Sequence, residues 1–189
     1  NTESMAAAIS ENTSSRQHNP SLSITIMKTV ITTILLTCLS PVLSAADAAK
    51  AGQPMPKLSQ LLPGATIPNS SGKVVLVDFW ASWCGPCVQS FPVLNRLQSK
   101  YGSKGLVVIG VGVDDDAAKY KAFADKMKVS FSVVHDSSHK AADFFSPPSM
   151  PSSYVVDRKG VIRYVHTGFR GAKTEAEYTT EIEELLAGK

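Results

Sequence analysis

The chain has 189 residues, 43% of them hydrophobic and 19% charged, with a formal charge of +3 and three cysteines. That is enough apolar material for one real core. No basic cluster offers a surface to nucleic acid, and three cysteines are too few for a disulfide-built scaffold, so a pair among them needs a chemical reason.

Residues 1–26 are polar and aperiodic and are expected to be a disordered upstream extension outside the fold. Met27 and Lys28 then open an uncharged run over residues 29–39, followed by Pro41 and the small residues Ser44, Ala45 and Ala46. Positive, apolar, then small is the layout of a secretory signal peptide over residues 27–46, with cleavage favoured near Ala45 or Ala46. Two alternatives stay open. Residues 29–46 are just long enough for a retained membrane anchor, which Pro41 and the interspersed Thr and Ser weaken. Leu35, Leu36, Thr37 and Cys38 resemble a lipobox, although Thr is a poor residue before a lipidated cysteine. Loss of residues 1–46 removes as many cations as carboxylates, so the net charge is unchanged. Export would place the remaining cysteines where disulfides form and persist.

Residues 47–72 are rich in Pro, Gly and Ser and read as a linker followed by an edge hairpin or loop; residues 73–189 read as the folded domain. Residues 74–80 are unbroken apolar except for Asp78, which suits a central strand buried on both faces. Gly85 and Pro86 open a helix to about Tyr101, with Phe91, Leu94, Leu97 and Tyr101 on its inner stripe, Pro92 inside it as an expected kink, and Gly102 as its stop. Residues 106–113 form a second buried strand. Asp114, Asp115 and Asp116 suit the start of the next helix, which runs to about Met127 with Tyr120, Phe123 and Met127 inward. A short strand over 131–134, a short helix over 139–145 and the Pro-rich loop 146–151 follow. Strands over 153–156 and 161–166 flank a turn at Asp157, Arg158, Lys159 and Gly160. Residues 174–186 close the chain as an amphipathic helix with Tyr178, Ile182, Leu185 and Leu186 inward. A β-α-β half followed by a β-β-α half predicts an α/β fold with a central mixed sheet flanked by helices.

The most informative residues are Trp83-Cys84-Gly85-Pro86-Cys87, between a strand and a helix. Two sulfurs three residues apart at a helix start can close a disulfide ring and reopen it, and the helix N-terminus favours the thiolate of the first. Cys84, expected to be exposed, is assigned as nucleophile, and the more buried Cys87 as the resolving thiol. A structural zinc half-site or a stapling disulfide is the alternative. Zinc needs a second ligand pair, and His135 and His139 have the right mutual spacing but lie too far along the chain from Cys87. A dithiol carries its own electrons, so no cofactor or metal is expected.

A carboxylate in a buried strand is costly unless it is neutralised or partnered. Asp78 is therefore assigned a raised proton affinity and the role of taking the Cys87 proton as that thiol attacks, the alternative being a strand-edge acid facing solvent. Met150-Pro151 precedes a strand, and a cis bond there would present the Met150 backbone to an extended substrate; an ordinary loop proline is the alternative. His135, His139 and His166 show no obvious partner and read as surface or strand-end residues, and the acidic run over 175–184 as a solvated helix face.

Residues 77–87, Val77-Asp78-Phe79-Trp80-Ala81-Ser82-Trp83-Cys84-Gly85-Pro86-Cys87, resemble the active-site strand and helix start of thioredoxin, and Pro92 matches its helix kink. Residues 150–160 and Gly168-Phe169-Arg170-Gly171 resemble the cis-proline loop, hairpin and final turn of the exported TlpA/ResA-like branch. The resemblance covers roughly residues 50–188. It implies a thioredoxin fold, with Pro151 as the cis-proline and Trp83, Gly85, Pro86, Met150 and Pro151 lining the client site. It further implies a monomeric thiol–disulfide oxidoreductase of the bacterial periplasm or cell envelope. Its clients would be disulfide-containing proteins such as apocytochrome c, and a membrane carrier of the DsbD or CcdA type would reduce it. The Gly-Pro pair points toward reduction, because thioredoxin with that pair sits near about −270 mV against about −120 mV for the oxidant DsbA. An oxidant or isomerase, or a non-catalytic client-binding module, are the competing classes. The Pro-x-x-x-Thr/Ser-x-x-Cys element of a peroxiredoxin-type peroxidase does not precede Cys84. Three departures stand out. Asp78 stands where many exported relatives carry Asn. The lysine that partners the buried acid in thioredoxin aligns with Gly110. Met150 replaces the more usual Thr or Val.

Overall fold

The computed structural model describes residues 48–188; the expected extension and the signal, anchor or lipidation segment lie outside the described residues. Five strands form one mixed sheet: β1 (Val74–Trp80), β2 (Leu106–Gly112), β3 (Ser132–His135), β4 (Ser152–Val156) and β5 (Ile162–Thr167), in the spatial order β3-β2-β1-β4-β5. β1, β2 and β3 run parallel, and β4 and β5 pair antiparallel to their neighbours. The central strands β1 and β2 are buried at every position, which is why each reads as a continuous apolar run instead of an alternating one.

Helices α2 (Gly85–Tyr101), α3 (Ala117–Met127) and α5 (Ala172–Leu186) cover one face, over a core that includes Leu76, Trp80, Cys87, Phe91, Tyr178 and Ile182. The β1–α2–β2 and β2–α3–β3 crossovers step the same way across the sheet, so right-handed connections put both helices on one side. The other face, with Val77, Phe79, Ile109 and Tyr154, is closed by α4 (Lys140–Phe145), a one-turn α1 (Leu58–Leu61) and Ala49.

Gly110 and Gly112 thin β2 on the first face. A Cβ at Gly112 would lie 2.5 Å from Tyr120 Cδ2 and 2.9 Å from Trp80 Cζ2, so the absent side chains make the slot in which Trp80 stacks on Tyr120 and Phe123.

Three local expectations are refined. Gly102 is the C-cap of α2, as expected, but in right-handed conformation: a short 3-10 turn opens there, and the left-handed reversal comes at Gly105, with φ +107°. Of the hairpin and loop alternatives for this stretch, residues 48–72 take the loop, with the one-turn α1 inside it. Gly52 and Met55 donate to Ile162 O and Gly160 O, Pro54 bridges Val161, and Leu58 and Leu62 are buried against the sheet, so β5 supplies the partner edge. Of the three aspartates after β2, Asp116 alone caps α3, accepting from Ala118 N at 2.8 Å, while Asp114 turns inward.

Candidate active site

Parallel β1 and β2 end side by side, with Trp80 paired to Gly112, so the residues that follow the two strands emerge together. The stretch from Ala81 to Trp83 leads into Cys84, the N-cap of α2, and Pro86 occupies the first helical turn, where a missing N–H costs nothing. Cys84 and Cys87 are joined by a disulfide. The Cys87 N–H donates to Cys84 Sγ at 3.2 Å, so an amide of the first turn points at the sulfur that would carry charge once the bond opens.

Cys84 is not the exposed residue the sequence suggested. It is 4% accessible and belongs to the core with Cys87, because its sulfur is turned inward to its partner, while Trp83, at 72% exposure, stands out beside it with Gly85 and Pro86. The rim presents the flat indole of Trp83 and the exposed Gly85 and Pro86.

Antiparallel β4 brings the third component. Its register pairs Phe79 with Ser152, which sets Pro151 beside the outgoing end of β1. The Met150–Pro151 bond is cis, Pro151 O accepts from Gly168 N at 2.8 Å, and Met150 packs against both cores.

Asp78 is wholly buried on β1. Alternation along the strand aims it, with Leu76 and Trp80, at the face that carries Cys87 on α2 and Tyr178 on α5. The solvent-facing alternative is thereby excluded. Burial pushes its carboxyl up to about 7, and a hydrogen bond from Ser153 opposes the rise. Gly110 faces Asp78 in the register and contributes no side chain, in keeping with the aligned loss of a lysine there.

The sequence reading missed Asp114. Its buried carboxylate accepts from Ser82 N at 2.9 Å and from the Ser82 hydroxyl, fastening the loop before Cys84 to the end of β2. The signal was there: Ser82 lies two residues beyond Trp80, and Asp114 two beyond Gly112. Asp114→Ala is expected to lower unfolding stability by about 1–2 kcal/mol in urea titrations, the cost of orphaning the partly buried Ser82 amide and hydroxyl. It should also slow disulfide exchange at Cys84.

The histidines are partnered after all. His135 Nε2 lies 2.7 Å from Asp114 O and its ring stacks on Tyr120. His139 Nε2 lies 3.1 Å from Asp115. His166 is only 9% accessible, contacts Glu181 at 2.7 Å and packs edge-on against Tyr178. The acidic face of α5 is correspondingly engaged, with Glu175 held by Arg96 and Glu177 by Arg170.

The sequence profile of the Redoxin family matches residues 50–182. The chain belongs to that family. Among similar proteins, the thioredoxin-like protein YneN of Bacillus subtilis is 36% identical over 123 residues, covering 62% of this chain and 71% of YneN. The thiol-disulfide oxidoreductase ResA of Oceanobacillus iheyensis is 31% identical over 97 residues, 51% of this chain and 50% of ResA. The chain thus spans about half the length of that ResA. A crystal structure from Chlorobium tepidum, assigned as a thiol:disulfide interchange protein DsbE, superposes with a TM-score of 0.62 at 31% identity, covering 74% of this chain and 98% of that one. The family, the fold and the bonded pair make this Redoxin member a TlpA/ResA-like thiol–disulfide oxidoreductase. Among the described residues no helix is long and apolar enough to cross a membrane.

Proposed function

We propose that the protein is an exported reductant of protein disulfides, with Cys84 as nucleophile, Cys87 as resolving thiol and Asp78 as the proton acceptor for Cys87. The observation that carries this reading is the Cys84–Cys87 bond at the start of α2, with a buried carboxyl of near-neutral proton affinity on the adjacent face of β1. In the reduced protein the Cys84 thiolate attacks one sulfur of a client disulfide. A Cys84–client bond forms, and the other client sulfur leaves as a thiolate and takes a proton. Asp78 then accepts the Cys87 proton, and the Cys87 thiolate attacks Cys84 Sγ. The Cys84–Cys87 bond forms, the mixed disulfide breaks, and the second client sulfur leaves as a thiolate that takes the proton held by Asp78, so the client departs as a dithiol. Two electrons have passed from protein to client.

Trp83, Gly85, Pro86 and the Met150–Pro151 turn form the surface against which an extended client segment lies. Residues 27–46 direct the chain to the bacterial envelope, by cleavage or as an anchor. A membrane donor of the DsbD or CcdA type returns the electrons to a monomeric protein. Apocytochrome c is one client class among oxidised envelope thiols.

Equilibration against glutathione buffers tests the direction. A potential below about −200 mV is expected, near thioredoxin, and a value well above it would make the protein an oxidant or isomerase.

A further inference from the structure

β4 and α5 bring two more side chains to Asp78, and neither belongs to the cysteine motif. Ser153 Oγ lies 2.6 Å from Asp78 Oδ1 and 2.6 Å from Tyr178 OH, and all three residues are buried. Among the described residues Asp78 Oδ2 has no hydrogen-bond partner. A hydroxyl carries one hydrogen. When Ser153 gives its hydrogen to the carboxylate, its oxygen must receive the one from Tyr178, so the line runs Tyr178 to Ser153 to Asp78. Burial raises the Tyr178 phenol above its usual value, which keeps it a donor across the working pH range. Its ring is fixed by the edge-on ring of His166, 4.8 Å away, and His166 is in turn held by Glu181.

We propose that Ser153 and Tyr178 are positioning residues that orient the Asp78 carboxyl and set its proton affinity, two neutral hydroxyls doing what a charged partner would otherwise do. The proposal rests on the reading of Asp78 as proton acceptor and names what tunes it. The surroundings leave few other candidates. Gly110 on β2 offers no side chain, and β1 contributes apolar Leu76 and the indole of Trp80 on this face. α2 offers Cys87, bonded to Cys84, while Glu177 and Glu181 on α5 and His166 on β5 lie beyond Tyr178. A donated hydrogen bond stabilises the ionised carboxylate and lowers its proton affinity, while burial raises it. Polarisation along the line strengthens the last bond. The two hydroxyls therefore hold Asp78 lower than burial alone would, within reach of neutral pH.

The test is a carboxyl carbon-13 NMR titration of Asp78 in the full chain with the disulfide intact. Ser153→Ala is expected to move the midpoint upward by about one pH unit, the loss of one charge-assisted bond. Tyr178→Phe should move it the same way by less, and Ser153→Thr, which keeps the hydroxyl, should restore it. Midpoints within a tenth of a unit of wild type in both Ser153→Ala and Tyr178→Phe would overturn the proposal. The proton role itself is read separately, from the pH profile of mixed-disulfide resolution. An unchanged profile in Asp78→Asn removes Asp78 from the mechanism, whereas an altered one with unmoved midpoints in the hydroxyl variants sinks this inference alone.

Discussion

Cys84→Ser is expected to reduce catalysis of insulin reduction to the uncatalysed background, a loss on the order of a thousandfold or more, because the remaining thiol, Cys87, has no accessible surface from which to form the mixed disulfide. Its neighbour should fail differently. Cys87→Ala keeps the nucleophile and the amide pointing at it, so the first exchange proceeds and the second has no thiol. Clients should accumulate covalently on Cys84 and run as reducible adducts on non-reducing gels. The asymmetry follows from position: Cys84 caps α2 at the rim beside Trp83, and Cys87 sits one turn in with no accessible surface. Retained insulin reduction in Cys84→Ser would leave the non-catalytic binding class standing. Adducts trapped equally by Cys84→Ser would reverse the assigned order of the two sulfurs.

The strands and helices around the motif are legible because burial on both faces writes itself as an uninterrupted apolar run, and Gly-Pro at a helix start fixes φ and discards an N–H. α2 accordingly begins at Gly85 as expected and passes through Pro92 to Tyr101. What periodicity does not carry is register across the sheet. Asp114 looks like one of three equivalent helix-capping acids until the pairing of Trp80 with Gly112 places it beside Ser82. Ser153 looks like an ordinary strand residue, and Tyr178 like a plain member of an inner stripe, until β4 and α5 carry both to Asp78. His166 is misread for the same reason, since its partners lie on a helix that a strand-end pattern does not bring to mind. The burial of Cys84 within the bonded pair is likewise something no spacing argument contains.

The same carboxyl that we propose as proton acceptor should weaken the fold, and the expected size is large. Below pH 3.8, the usual aspartate value, Asp78 is neutral whether the chain is folded or not, and its burial carries no ionisation cost. Between 3.8 and about 7 the unfolded chain releases the proton and the folded chain keeps it, so stability falls as pH rises, by about 1.4 kcal/mol per unit. Above about 7 both forms are ionised and the accumulated loss stays constant at roughly 4 kcal/mol. Asn cannot ionise, so Asp78→Asn should be more stable than wild type at pH 8. At pH 4 it should be equal or slightly weaker, because its amide pairs less well with Ser153. The decisive quantity is the difference in urea-unfolding free energy between the two oxidised proteins, followed from pH 4 to pH 8. It should climb and then level off near neutrality, whereas a flat difference would mean that Asp78 ionises in the folded protein as readily as in water. A rising curve joined to slowed mixed-disulfide resolution in the same variant would tie the instability to the proton transfer: the pH range in which the acid strains the fold is the range in which it can take a proton from a thiol.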